Sequence, residues 1–233
     1  MFFIGCLCLL YIVPCSWIDA FYVRKKPFET RYRHMRFWSK HLLACFHCKI
    51  DVDQQVPMDL TGPILFVSNH QSIFDMIIQI AVFSTCFTFI SKEENKKLPF
   101  VSSWSKSLEL IYFNREDRKS AIHMLREAAR QLKSGRNLLI FPEGTRSKDG
   151  TLLTLQAGSL QPAYMAKATI VVMVLQNSYQ FKQVLLHHQS FALSLIKTYE
   201  YQDYKDIKID VLCQQIQDAM EEERKKYQNF HEK

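Results

Sequence analysis

The chain has 233 residues, of which 48% are hydrophobic, with only 6 glycines and 7 prolines, so it can build a sizeable core and is not a low-complexity protein. Its formal net charge of +7 points to an anionic partner, either phospholipid head groups or nucleic acid. Its 7 cysteines are odd in number with a single CxxC spacing, Cys45 to Cys48, which argues against a two-pair zinc site and for thiols in a reducing compartment.

The first element is an uncharged run over residues 2–18. It lacks the basic residues before it and the small-residue site after it that a cleaved signal peptide needs. Its length is at the short end for a span, and Pro14 argues against a long straight helix. It is expected to be a short anchor that spans the bilayer or dips into one leaflet, with Trp17 and Tyr22 at the interface. A buried core helix is the alternative. From Arg24 to Lys40 follow Arg24, Lys25, Lys26, Arg31, Arg33, Arg36 and Lys40 against one acid, Glu29, with Phe28, Tyr32, Phe37 and Trp38 interleaved. Beside an apolar run, such a basic aromatic segment marks the cytoplasmic side of a membrane and an attraction to anionic lipid. Residues 1–50 are thus expected to form the membrane anchor and juxtamembrane segment, and residues 51–233 an α/β domain.

Beyond Thr61 strands and helices alternate, which predicts a mostly parallel central sheet flanked by helices, with the membrane-associated helical segment before it. Strands are expected near 63–67, 86–90, 108–113, 138–141, 170–175 and within 191–197. Helices are expected near 72–82, 120–133, 156–167 and 209–227, and residues 91–107 read as a polar, lysine-rich connection. The helix over 120–133 has the clearest single apolar face, and Gly135 is placed to stop it.

Two strand ends carry chemistry. The apolar run Ile64–Val67 leads into Ser68, Asn69, His70 and, five residues on, Asp75. His70 can act as a general base near neutral pH, and Asp75 can orient its ring and stabilise the imidazolium. On one helix two residues five apart lie about 140° apart, so the pair meets only if the chain turns between them. The plain alternative is a surface histidine beside an N-cap aspartate. The run Asn137–Phe141 leads into Pro142, Glu143, Gly144, Thr145, Arg146 and Ser147, a glycine turn with a hydroxyl and a guanidinium suited to a phosphate. In α/β sheets ligands bind beyond the carboxyl ends of strands, so the two segments can converge.

Asn-His-Gln-Ser-Ile-Phe-Asp at 69–75 and Phe-Pro-Glu-Gly-Thr-Arg-Ser at 141–147 resemble the NHxxxxD and FPEGTR signatures of the glycerolipid acyltransferases. Ile111–Arg115 resembles the second block of that family and Thr169–Val174 the fourth. The subgroup most resembled is the 1-acylglycerol-3-phosphate acyltransferases. The resemblance implies acyl transfer from acyl-CoA or acyl-carrier protein to the free hydroxyl of a lysophospholipid, giving phosphatidic acid, with no cofactor beyond that co-substrate and no metal. It implies His70 as base and Asp75 as its partner. Arg115, Glu143, Gly144, Thr145 and Arg146 form the phosphate-binding group, with Glu143 ordering the turn, and Ser68 and Asn69 act in support. Three positions depart from the pattern: Glu109 stands where glycine is usual, Gln156 where lysine is usual, and Val172 or a neighbour where proline is common. Glycerol-3-phosphate or another lysophospholipid remains open as acceptor. A non-catalytic membrane phosphate-binding protein is an alternative, and so, more remotely, is a nucleic-acid binder, although the chain carries no nucleic-acid motif.

Overall fold

The structure, a computed structural model, describes residues 2–56, 60, 62–97, 99–114, 116–186 and 190–231. Among them, β1 (Lys49–Gln54), β2 (Ile64–Ser68), β3 (Phe87–Lys92), β4 (Ile111–Phe113), β5 (Asn137–Ile140), β6 (Thr169–Gln176) and β7 (Ser190–Tyr199) form one sheet in the order β1-β7-β6-β2-β5-β3-β4. Every neighbouring pair is parallel except β6 and β7, so β7 and β1 run against the other five. The mostly parallel sheet expected from the sequence is therefore present.

Helices cover both faces. They are α1 (Phe2–Val23), α2 (Phe28–Cys45), α3 (Asp75–Val82), α4 (Pro99–Ser107), α5 (Arg118–Lys133), α6 (Gln161–Ala166), α7 (Phe181–Leu186), α8 (Tyr201–Tyr204) and α9 (Ile209–His231). Because a strand's side chains alternate, Ile64 and Phe66 of β2 face one layer while Leu65 and Val67 face the other. The first layer holds Ala20, Phe28, Tyr32, Ile78 and Trp104, from α1 through α4. The second holds Ala128 and Leu132 of α5, Ala163 of α6, and Leu212, Ile216 and Met220 of α9. Burial on both sides explains why the central strands read as unbroken apolar runs.

The structure bears on four expectations. The boundary expected at residue 50 falls inside β1, a mostly exposed edge strand in which Ile50 and Val52 alternate with Lys49, Asp51 and Asp53 over too short a run to stand out. The N-terminal run is one helix of 22 residues that continues through Pro14, and Val23 and Ala20 at its far end are buried in the sheet's own core. Among the described residues no helix is long and apolar enough to cross a membrane. Residues 91–107 are not merely a connection: β3 extends to Lys92, and α4 buries Trp104 against the core while the Ser107 hydroxyl donates to the Ala20 carbonyl at 2.9 Å. The four serines and one lysine around Trp104, two of those serines themselves buried, masked that face.

Glu109, which departs from the usual glycine, sits at φ +55°, a left-handed backbone that glycine adopts without cost. Its carboxylate bonds Arg31 of α2 through one oxygen and Arg136, ahead of β5, through the other at 2.9 Å. The strained residue thus ties the N-terminal helical pair to the sheet domain.

Candidate active site

β2 ends at Ser68, and the next residue locks that end in place. The Asn69 amide imitates a strand partner: its Nδ2 donates to the Leu175 carbonyl at 2.8 Å and its Oδ1 accepts from the Leu175 amide at 2.7 Å, at the end of β6. Ser68 Oγ accepts from Gln79 Nε2 of α3 at 2.8 Å. Both supporting residues are buried and act on the frame of the loop, not on its open side.

The chain then turns, as contact between His70 and Asp75 requires. Asp75 opens α3, is fully buried, and through Oδ2 accepts from the Gln71 and Ser72 amides at 2.7 and 2.9 Å. The same oxygen meets His70 Nδ1 at 2.7 Å. A carboxylate only accepts, so Nδ1 carries the proton and Nε2 keeps its lone pair. The imidazole is stacked on Phe141, the residue that follows β5, with centroids 4.1 Å apart and planes 18° apart. A base with a fixed tautomer, a fixed ring plane and one free nitrogen is what proton abstraction needs.

The second motif holds the first by its backbone. Glu143 is buried, and its two oxygens accept from the His70 amide at 2.6 Å and the Leu153 amide at 2.9 Å. The Ser147 amide donates to the His70 carbonyl at 2.8 Å. Both polar groups of the His70 main chain are therefore bonded by the segment after β5. Burial pushes the Glu143 carboxyl up to about 7, and the Asp75 charge adds to the rise; the two amide donors and the Arg224 guanidinium pull it back. The two oxygens of Glu143 are thus turned to main-chain amides, in keeping with the ordering of the turn expected of it.

Gly144 closes that turn at φ +67°, with its amide bonded to the Phe141 carbonyl at 3.0 Å. Thr145 and Arg146 next to it are exposed, and neither side chain has a hydrogen-bond or ionic partner among the described residues. A guanidinium and a hydroxyl beside the base, both open to solvent, can receive an anionic group. Arg115 lies outside the described residues. No cluster of three or more His, Cys, Asp or Glu side chains among the described residues is placed to hold a metal ion.

A family profile described as Acyltransferase matches residues 49–176, more than half of the chain and spanning both motifs. The chain belongs to the acyltransferase family. It is 29% identical over 199 residues to the 1-acyl-sn-glycerol-3-phosphate acyltransferase of Helicobacter pylori, covering 83% of this chain and 81% of the relative. It is 26% identical over 204 residues to a chloroplastic enzyme of the same name from Arabidopsis thaliana, covering 84% of this chain but only 55% of that protein. It therefore spans little more than half the length of some relatives. The crystal structure of a 1-acyl-sn-glycerophosphate acyltransferase from Thermotoga maritima superposes with a TM-score of 0.73 at 21% identity over 95% of this chain and 92% of the other, which establishes the shared fold.

Within this acyltransferase, the stacking of Phe141 on the base was missed from sequence, although Phe141 is the first letter of the second motif. Gln156, in place of the usual lysine, is exposed on the loop beyond that motif, with its amide bonded to the Pro142 carbonyl at 2.9 Å. Val172 pairs with Val67 at the centre of the sheet, beside a register shift between Val172 and Met173 where β6 meets β7. A proline of the family pattern at Val172 or a neighbour would fall where this ladder is already interrupted.

Proposed function

We propose that this protein transfers an acyl group from a thioester, acyl-CoA or acyl-carrier protein, to the free hydroxyl of 1-acylglycerol-3-phosphate. The observation that carries this is the bonding of both His70 main-chain groups by the turn that presents Arg146, so that base and anion-binding turn form one unit. His70 Nε2 takes the hydroxyl proton as the acceptor oxygen attacks the thioester carbonyl. The C–O bond forms, the C–S bond breaks, and the thiolate leaves to be reprotonated. The thioester is already activated, so no acyl-enzyme is required and Ser72 is not invoked as a nucleophile. Asp75 stabilises the imidazolium. Arg146, Thr145 and Arg115 hold the acceptor phosphate, and the relatives' names support that choice of acceptor over glycerol-3-phosphate or other lysophospholipids.

The acceptor is a lipid, and α1 offers a surface for the bilayer that contains it. Leu10, Tyr11, Trp17, Ile18, Phe21 and Tyr22 are each at least half exposed along one side of α1, an apolar surface of the kind that marks an interaction site. With the basic stretch after it, this face would lie on anionic lipid with the active site on the cytoplasmic side. Purified protein given labelled acyl-CoA or acyl-carrier protein should acylate lysophosphatidate in preference to a panel of other lysophospholipids and glycerol-3-phosphate. A different preferred acceptor would reassign the substrate, and the absence of any transfer would remove the activity. Recovery of the protein in the soluble fraction at low salt, without detergent, would remove the membrane face.

A further inference from the structure

The loop that carries Arg146 is held from a third direction, by the C-terminal helix. Arg224 of α9 is buried, and its guanidinium donates to the Gly150 carbonyl through Nη2 and to Glu221 through Nη1 at 2.7 Å. Its Nε is buried without a partner. Putting a guanidinium out of water against a single, partly exposed carboxylate is costly, so this charge is not explained by helix stability. Its reach explains it better. The same Gly150 carbonyl lies 3.4 Å from Gln71 Nε2, in the loop of the base, and Gln71 Oε1 in turn accepts from Ser178 Oγ at 3.1 Å. Gly150 is at φ +79°, and a β-carbon there would stand 2.5 Å from the Tyr179 ring, so the strap is clamped with no slack.

We propose that Arg224 is a positioning residue for acyl transfer: from α9 it fixes the Gly144–Gly150 strap, and with it Arg146, at the acceptor end of the site. The inference rests on the proposed acceptor, since it supposes that Arg146 meets the acceptor phosphate. Glu143 supplies a second readout, because the Arg224 charge lowers the proton affinity of that buried carboxyl.

Two variants separate grip from charge. Arg224→Lys keeps the charge and loses the fork that spans the Gly150 carbonyl and Glu221, so the Michaelis constant for lysophosphatidate should rise roughly tenfold, about the weight of one charge-assisted hydrogen bond, with that for the donor unchanged and the pH profile in place. Arg224→Met loses both, so the acidic limb of its pH profile should also move to higher pH, and this movement should vanish when Glu143→Gln is added. A folded lysine variant with the wild-type Michaelis constant for the acceptor overturns the proposal, as does an equal effect on donor and acceptor. If the methionine variant does not fold, the lysine variant decides alone. Wild-type enzyme that transfers to no lysophospholipid would instead remove the reaction itself, so the two failures are distinct.

Discussion

Among the described residues two histidine–aspartate pairs have nearly the same length, and one of them lies in the candidate active site. His70 Nδ1 meets Asp75 at 2.7 Å, and His34 Nδ1 meets Asp19 at 2.9 Å across the α1–α2 pair. Asp75 is 0% exposed and the His70 side chain 19%, while Asp19 is 24% and His34 39% exposed. Asp75 takes two backbone amides from the loop it orients, whereas Asp19 takes the indole of Trp38 at 2.7 Å. His70 has its amide and carbonyl tied to another loop and its ring stacked; His34 sits on a regular helix in an open groove beside Arg33, Phe37 and Trp38. A short contact between an imidazole and a carboxylate is thus no site by itself. Enclosure, a fixed main chain and a neighbouring turn with an open guanidinium at the strand ends make His70 and Asp75 the candidate.

The sharpest test replaces the two histidines in parallel. His70→Ala should lower turnover by about 10²–10⁴-fold, the usual contribution of general acid–base catalysis, in protein that remains folded. His34→Ala should change turnover less than about threefold, as expected of a partly exposed pair. A loss under tenfold for the first variant, or a comparable loss for the second, would collapse the distinction. The aspartates should follow: Asp75→Asn costs roughly 10²-fold or more because a neutral amide cannot balance an imidazolium, and Asp19→Asn costs little. Steady-state rates on a common acceptor decide both.

Next in size is the turn. Arg146→Ala should raise the Michaelis constant for lysophosphatidate by roughly ten- to a hundredfold, and Arg146→Lys should recover only part of it. An effect confined to the acyl donor would place the donor's phosphates on this turn instead. Because the chain has Gln156 where relatives usually have lysine, Gln156→Lys should leave acceptor binding unchanged or tighten it.

Glu143 makes a prediction about stability. Burial raises its carboxyl from 4.5 to about 7 in the folded state, so the fold holds this proton more tightly than the unfolded chain does. Its contribution is fully present below the unfolded value and is lost as pH rises through about 7, by up to about 3 kcal/mol on linkage grounds. Glu143→Gln should abolish that loss. The stability of the variant relative to wild type should therefore improve between pH 5 and pH 8 in thermal unfolding, whatever constant offset the altered hydrogen bonds impose. A difference that is flat with pH would show that the carboxylate stays ionised throughout.

The smallest effect concerns the tie between the helical pair and the sheet. Glu109→Ala loses the bonds to Arg31 and Arg136 and keeps the strained backbone, while Glu109→Gly loses the bonds and relieves the strain. The alanine variant should be less stable than the glycine variant by about 1 kcal/mol. Equal melting temperatures would mean that φ +55° carries no strain here.

What the sequence showed, and what it hid, follow from the range of each interaction. The central strands and α5 were legible because one period of side chains decides them, and the turn between His70 and Asp75 because five residues admit no other contact. β1 and α4 were not, since an edge strand and a serine-rich helix need few apolar residues. The ordering role of Glu143 was legible from residue type, but its partners, the amides of His70 and Leu153, were not, because each lies on another segment. Arg224 gave no local signal at all, because what it braces lies 74 residues earlier in the chain.

The edge of the sheet also sets an order of assembly. Among the described strands β1 has β7 as its one neighbour, so residues 49–54 cannot be paired until residues 190–199 exist. Domains fold from the amino end as they are made, at roughly 5–20 residues per second, and pairings between distant segments come late. The α1–α2 pair therefore leaves the ribosome many seconds before the sheet that buries its inner face. During that interval both its apolar sides are bare. The lipid contact proposed for the outer one would therefore be open to the nascent chain before β7 closes the sheet.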